Sequence, residues 1–247
     1  MKAALKILVG ALCLAALGPA LVAGTGTVKF GQDWRTADRS PAGIAPDPRV
    51  VDEAVVQVYS ARAFDWRGLF AVHTWIATKP RGADRFTVHQ VVGWNRFDGL
   101  PAVESIEDEP DRSWYGQDPE ILMDMRGAEA ETAIGEIFAA VASYPYPREY
   151  VLWPGPNSNT FTAWVARRVP ALRLDLPPTA IGKDFIGASL FAGAPSGTGF
   201  QFSLFGLLGL TLAREEGLEL NVLGAALGVN PLAMKLRLPG LGIMSPR

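Results

Sequence analysis

Pro154-Gly155-Pro156-Asn157-Ser158-Asn159-Thr160-Phe161 stands between an apolar, strand-like run ending at Trp153 and a segment of helical spacing. Pro154 and Pro156 fix φ and stiffen the lead-in, and Gly155 permits a turn that other residues resist. Asn157 and Ser158 are both preferred N-cap residues. Beyond them Phe161, Trp164, Val165 and Val169 mark one buried helical face, and Pro170 ends the pattern. Ser158 is therefore expected at a helix N-terminus, where unpaired N–H groups and the dipole favour negative charge. A nucleophile there gains stabilisation of its anion. The plainer alternative is that Asn157 or Ser158 only caps the helix.

Upstream, Ala54–Tyr59, Leu69–Thr78 and Arg85–Gly93 read as strands, the last two joined by a turn over 80–84. Phe70, Val72 and Ile76 share one side of the first of that pair. Phe86, Val88 and Val92 share one side of the second. Taking those sides as the core puts His73 and His89 on the opposite faces. With the turn centred on Gly82, residue 73 lies opposite 91 and His89 is its diagonal neighbour. A slip of one residue would separate the two rings. They are the only histidines in the chain. Without cysteine or a paired carboxylate they make a poor zinc site, so no metal is expected.

Between 95 and 126 acidic residues, Pro and Gly suggest a solvated loop, with short strands at Ala102–Ile106 and Ile121–Met125. A helix is expected over Ala128–Ser143, with Ile134, Ile137, Phe138 and Val141 on its buried face and Pro145 stopping it. After the second helix, Leu176–Phe185 reads as an ordered loop in which Lys183 or Asp184 lines a site or forms a surface ion pair. The tail alternates: Phe200, Phe202, Leu204, Leu208, Leu210 and Leu212 run to a turn at Glu215-Glu216-Gly217, and Leu218, Leu220 and Val222 answer them. This is a β-hairpin with one strongly apolar face, either core packing or a contact for membrane or partner.

The chain has 247 residues, 49% hydrophobic, with a net charge of −2 and both signs interspersed. No basic stripe argues for nucleic acid, and no phosphate loop or dinucleotide fingerprint argues for a cofactor. Lys2 and Lys6 precede an apolar run from Ile7 to Ala23 that ends in small residues, which reads as a secretory signal peptide. The rival reading is an uncleaved anchor, since the run is at the short edge of a spanning helix. Cys13, the only cysteine, lies within it, so the rest of the chain has neither thiol nor disulfide. Residues 25–50, rich in Gly, Pro, Thr and Asp, read as a tether or extended arm.

Gly155–Phe161, Ala180-Ile181-Gly182-Lys183-Asp184-Phe185, Pro195-Ser196-Gly197-Thr198-Gly199 and Leu218-Glu219-Leu220-Asn221 together resemble domain-of-unknown-function family 3750, a family of exported bacterial proteins. The resemblance covers most of the chain after about residue 50 and brings no assigned activity. More distantly, the order of residues looks like circularly permuted papain-like (NlpC-type) proteins. That resemblance implies that His73 matches the histidine, His89 the polar partner, and Ser158 the position of the cysteine. A serine hydroxyl does not ionise as a thiol does, so Ser158 would depend on His73 as base.

The expected fold is α+β: a leader over 1–24, a linker over 25–50, a core over 51–187 and an apolar β-hairpin extension over 188–247. The core is an antiparallel sheet with two packed helices. Two functions are expected. One is an envelope hydrolase or acyltransferase acting on an amide or ester. In it Ser158 attacks, His73 takes its proton, His89 orients His73, and Asn157 and amides near Asn159 position the oxyanion. The other is a non-catalytic envelope protein that binds a lipid or protein partner, with membrane association through residues 7–23 or the 200–223 hairpin.

Overall fold

The computed structural model describes residues 16–246. Lys2, Lys6 and Cys13, and with them most of the expected leader, lie outside the described residues. Residues 16–25 form α1. Among the described residues no helix is long and apolar enough to cross a membrane.

The fold is α+β. Its first sheet is antiparallel, in the order β4-β3-β2-β1-β5, with β1 (Val55–Arg62), β2 (Val72–Lys79), β3 (Thr87–Val91), β4 (Val103–Glu107) and β5 (Pro119–Arg126). Helices α2 (Gly127–Ala142) and α3 (Ser158–Arg168) cover one face. There Val56, Val58, Val72 and Ile76 meet Ile134, Ile137, Phe161 and Val165. The other face is buried too, with Val55, Tyr59, Trp75, Ala77, Phe86 and Val88 in a second cluster. Burial on both sides explains why β1 carries apolar residues at adjacent positions, Val55-Val56 and Val58-Tyr59.

The register differs from the expected one by a single residue. Ile76 pairs with His89 and Ala77 with Val88. The Thr78–Thr87 pair centres the connection between Gly82 and Ala83 rather than on Gly82. Phe86 and Val88 therefore belong to the second cluster, away from Val72 and Ile76, and Phe70 is exposed.

Residues 25–50 are an ordered strap. The amide of Ala42 donates to the Asp111 carbonyl at 2.9 Å, that of Ser113 to Ser40 at 2.9 Å, and that of Gly116 to Asp38 at 2.8 Å. The Asp111 carboxylate accepts from the amides of Ile44 (2.7 Å) and Ala45 (3.1 Å). Asp111 is buried, so this part of the acidic segment is a fastening and not the solvated loop its composition suggests.

The expected hairpin is the middle of a seven-stranded meander. It runs through β6 (Phe191–Gly193), β7 (Gly199–Leu204), β8 (Leu208–Ala213), β9 (Gly217–Val222), β10 (Ala225–Asn230), β11 (Lys235–Leu238) and β12 (Gly242–Met244). Leu210 pairs with Leu220 and Leu212 with Leu218, as the sequence alternation suggests. The apolar side is not core. Phe200, Leu212, Leu218, Val229, Leu236 and Met244 form an unbroken cross-strand row, and each is exposed by at least 40%. The inward side carries Gln201, Ser203, Thr211, Glu219, Asn221 and Arg237, all buried. A water-facing antiparallel sheet has the reverse arrangement.

Candidate functional site

Asn157 is the N-cap of α3. Its side-chain oxygen accepts from the amides of Asn159 (3.0 Å) and Thr160 (3.1 Å), and the Thr160 hydroxyl accepts from the Asn157 amide in a capping box. The Asn157 amide group also donates to the carbonyls of Leu152 (3.0 Å) and Ile181 (3.1 Å). Gly155 is required here. Its φ is +137°, and a Cβ would stand 2.7 Å from the Thr160 hydroxyl and 2.9 Å from Phe185. Asn159 ties α3 to β2 by donating to the carbonyls of Val72 (3.0 Å) and Ile181 (2.8 Å), while its own oxygen accepts from Thr74 at 2.9 Å.

Ser158 is thus the first residue of the helix, one past the cap. Among the described residues no hydrogen bond engages its hydroxyl. It lines an open cavity of about 440 Å³, together with His73, Asn157 and Asn159. The cavity walls are aromatic: Phe64, Trp66, Trp94, Trp114, Tyr150 and Trp153. His73 stacks on Trp114 with ring centroids 3.5 Å apart and planes 6° off parallel. Its Nε2 is buried without a hydrogen-bond partner. Burial pushes the ring down to about 3, with the nearby Gln90 side chain pulling the other way.

The expected triad is not assembled. His73 and Ser158 share the cavity, but no hydrogen bond joins them. A base held so far below neutral is a weak acceptor of the serine proton. His89 cannot orient His73, because its pairing with Ile76 turns it to the helix-covered face. There its Nδ1 meets the Ser105 hydroxyl at 2.7 Å, its Nε2 meets Thr78 at 3.1 Å, and Phe138 packs edge-on. Burial lowers its pKa to about 4. The Asn159 amide, expected at an oxyanion, is taken by the Asn157 cap.

Lys183 and Asp184 lie in a buried ionic network between the 175–185 loop and the second sheet. Lys183 bonds Glu219, and the Asp184 carboxylate accepts from Gln201. Arg237 donates to Glu219 and to Asp175, each at 2.6 Å, and to the Leu176 carbonyl at 2.5 Å. Burial alone would lower the Lys183 pKa, yet the carboxylates of Asp184 and Glu219 hold it above the usual lysine range. Burial would raise Glu219, but Lys183 and Arg237 hold it below the usual carboxylate range. The pair is neither a cavity wall nor a surface ion pair. Among the described residues no cluster of three or more His, Cys, Asp or Glu is placed to hold a metal.

The tryptophans are what the residue-by-residue reading passed over. Phe64, Trp66, Trp94, Trp114 and Trp153 all fall outside the regular strands and helices, in 3-10 turns and loops, and all line this cavity. Seven tryptophans in 247 residues, mostly outside regular elements, were the available signal.

The family model for a protein of unknown function, DUF3750, matches residues 53–185. The chain belongs to that family. The matched stretch spans the five-stranded sheet, both packed helices and the loop ending at Phe185, and it stops before the second sheet. No curated protein and no solved structure matches the chain.

Proposed function

We infer that this chain is an exported cell-envelope protein that rests on a lipid surface through the outward face of its second sheet. One observation carries the reading. From Phe200 to Leu236 the outward strand positions are apolar across the sheet, and the charges are turned inward. Exposed apolar surface on this scale marks an interaction site. A lipid surface is favoured over a soluble partner by what adjoins the sheet. Gly18 abuts the Pro239 carbonyl and Pro19 abuts Gly240, so α1 meets the turn between β11 and β12. The chain leading into α1 is the apolar run that begins at Ile7. Retention of that run would add a second membrane signal to the lipid-facing sheet, and two weak membrane signals reinforce each other.

The test uses the full chain in phospholipid vesicles, with Cys13→Ser and a nitroxide attached at Leu210→Cys or Leu220→Cys. Oxygen accessibility with shielding from an aqueous nickel chelate is expected at both sites. Free access to the chelate would overturn the reading. Shielding from both reagents would assign the face to a protein partner or a second copy.

A hydrolase or acyltransferase acting on an amide or ester has one observation in its favour, the unpartnered Ser158 hydroxyl in an open cavity beside His73. Covalent labelling by a fluorophosphonate that disappears in Ser158→Ala would support it, and absence of labelling removes it.

A further inference from the structure

The cavity beside α3 has aromatic walls and carries charge of one sign. Arg67 and Arg96 line it, and no Asp or Glu does. Arg67 spends its Nε on the Phe64 carbonyl at 3.3 Å, and Arg96 spends a terminal nitrogen on the Tyr150 carbonyl at 2.6 Å. A guanidinium presents a fork of N–H donors, so most of theirs remain. Among the described residues neither arginine makes an ion pair. Both act on Tyr150: Arg96 holds its carbonyl, and burial raises the pKa of its phenol while the Arg67 charge pulls the other way. The first turn of α3 brings the positive end of its dipole to the same lining, through Asn157, Ser158 and Asn159. A cleft of one sign between low-dielectric walls focuses its field and gathers counter-ions.

We propose that this cavity binds an amphiphilic anion, with an apolar chain between the aromatic walls and a carboxylate or phosphate head on Arg67 and Arg96. Guanidinium forks match both heads, and a charge-assisted bond is roughly twice as strong as a neutral one. The volume of about 440 Å³ is within the range of small-molecule sites, which pair apolar walls with few placed polar groups. A sugar would stack on the same rings, but its hydroxyls need acceptors. The lining offers no carboxylate, and the carboxamide oxygens of Asn157 and Asn159 already accept from the α3 cap and from Thr74. An apolar chain also suits the rim, where Trp66, Phe97, Leu152 and Trp153 are exposed. The proposal concerns the cavity alone and does not require that the sheet rest on lipid.

The experiment is quenching of intrinsic tryptophan fluorescence in the full chain by 8-bromooctanoate, with octanoate and octyl phosphate as competitors. Bromine quenches on contact, and the walls supply the fluorophores. Saturable quenching that both competitors reverse is expected, and the stronger competitor identifies the head. The uncharged 8-bromo-1-octanol should bind about tenfold more weakly. Arg67→Gln and Arg96→Gln should each weaken the bromo acid about tenfold and leave the bromo alcohol unchanged, which also shows that the variants are folded. Trp66→Ala, at an exposed residue of the lining, should weaken both probes alike. Non-saturable quenching, or equal affinity for the acid and the alcohol in the unaltered protein, overturns the proposal. So does displacement of the acid by inorganic phosphate alone, which would assign the arginines to a free oxyanion, or by a neutral oligosaccharide. Nitroxide accessibility at Leu210 is a separate readout, so failure of the cavity and failure of the sheet are told apart.

Discussion

Arg237 reaches Glu219 across Gly228: the guanidinium Nε lies 2.6 Å from the carboxylate, and Gly228 pairs with both residues on the strand between them. A side chain at 228 would occupy the space in which the two meet, and even a Cβ there would stand 2.6 Å from the Leu218 carbonyl oxygen. Glu219 also bonds Lys183, so one carboxylate bridges two buried cations from different parts of the chain, with Asp184 and Asp175 completing the charge balance.

Glu219→Ala is expected to destabilise the protein by about 3–5 kcal/mol, because it removes the carboxylate that two buried cations share and leaves Lys183 only Asp184 and Arg237 only Asp175. Urea unfolding followed by circular dichroism measures this. A loss under about 1 kcal/mol would mean that water reaches the network.

The two histidines predict a pH dependence. Both pKa values are depressed by burial, to about 3 for His73 and about 4 for His89, against about 6.5 in the unfolded chain. Below pH 6.5 the unfolded chain therefore binds protons that the native state does not, and stability falls as pH falls. Between pH 6.5 and 5, above the carboxylate range, each histidine contributes a slope approaching about 1.4 kcal/mol per pH unit. His73→Phe should remove about half of that slope.

Asn157 and Ser158 are neighbours with opposite expectations. Asn157→Ala loses the cap, worth about 0.5–2 kcal/mol, and also the two bonds that hold Leu152 and Ile181. Ser158→Ala removes a hydroxyl that makes no hydrogen bond and should change stability by less than about 0.5 kcal/mol. Thermal denaturation of the two variants separates a capping residue from one placed for a ligand.

Asp111→Ala should release residues 38–45 without unfolding the sheet, since its carboxylate holds the amides of Ile44 and Ala45. Limited proteolysis is expected to cut within that strap in the variant and to spare it in the unaltered protein. Equal resistance would show that the backbone bonds to Ser40 and Asp38 suffice.

The strands, the two packed helices and the cap at Asn157 were legible because each is encoded locally, by period, by Pro and by N-cap chemistry. The pairing of His73 with His89 was not, because it depended on a register that one residue reverses. The strap was hidden for another reason. Its Gly, Pro and Asp residues look like linker composition, and only the long-range bonds to Asp111 and Ser113 make it structure. Lys183 and Asp184 read as site-lining residues or a surface ion pair, because their buried partners Glu219 and Arg237 lie tens of residues away and nothing local points to them.

The reversed faces of the second sheet also reverse its evolutionary constraint. In most proteins drift is free at outward positions and slow at inward ones. Here Leu210 or Val229 should exchange readily for any other apolar residue, because neither fits into a packed interior. Glu219, Arg237 and the small residue at Gly228 must change together or not at all. Homologous chains aligned over this sheet should therefore show hydrophobic character without fixed identity on one side, and fixed charges on the other.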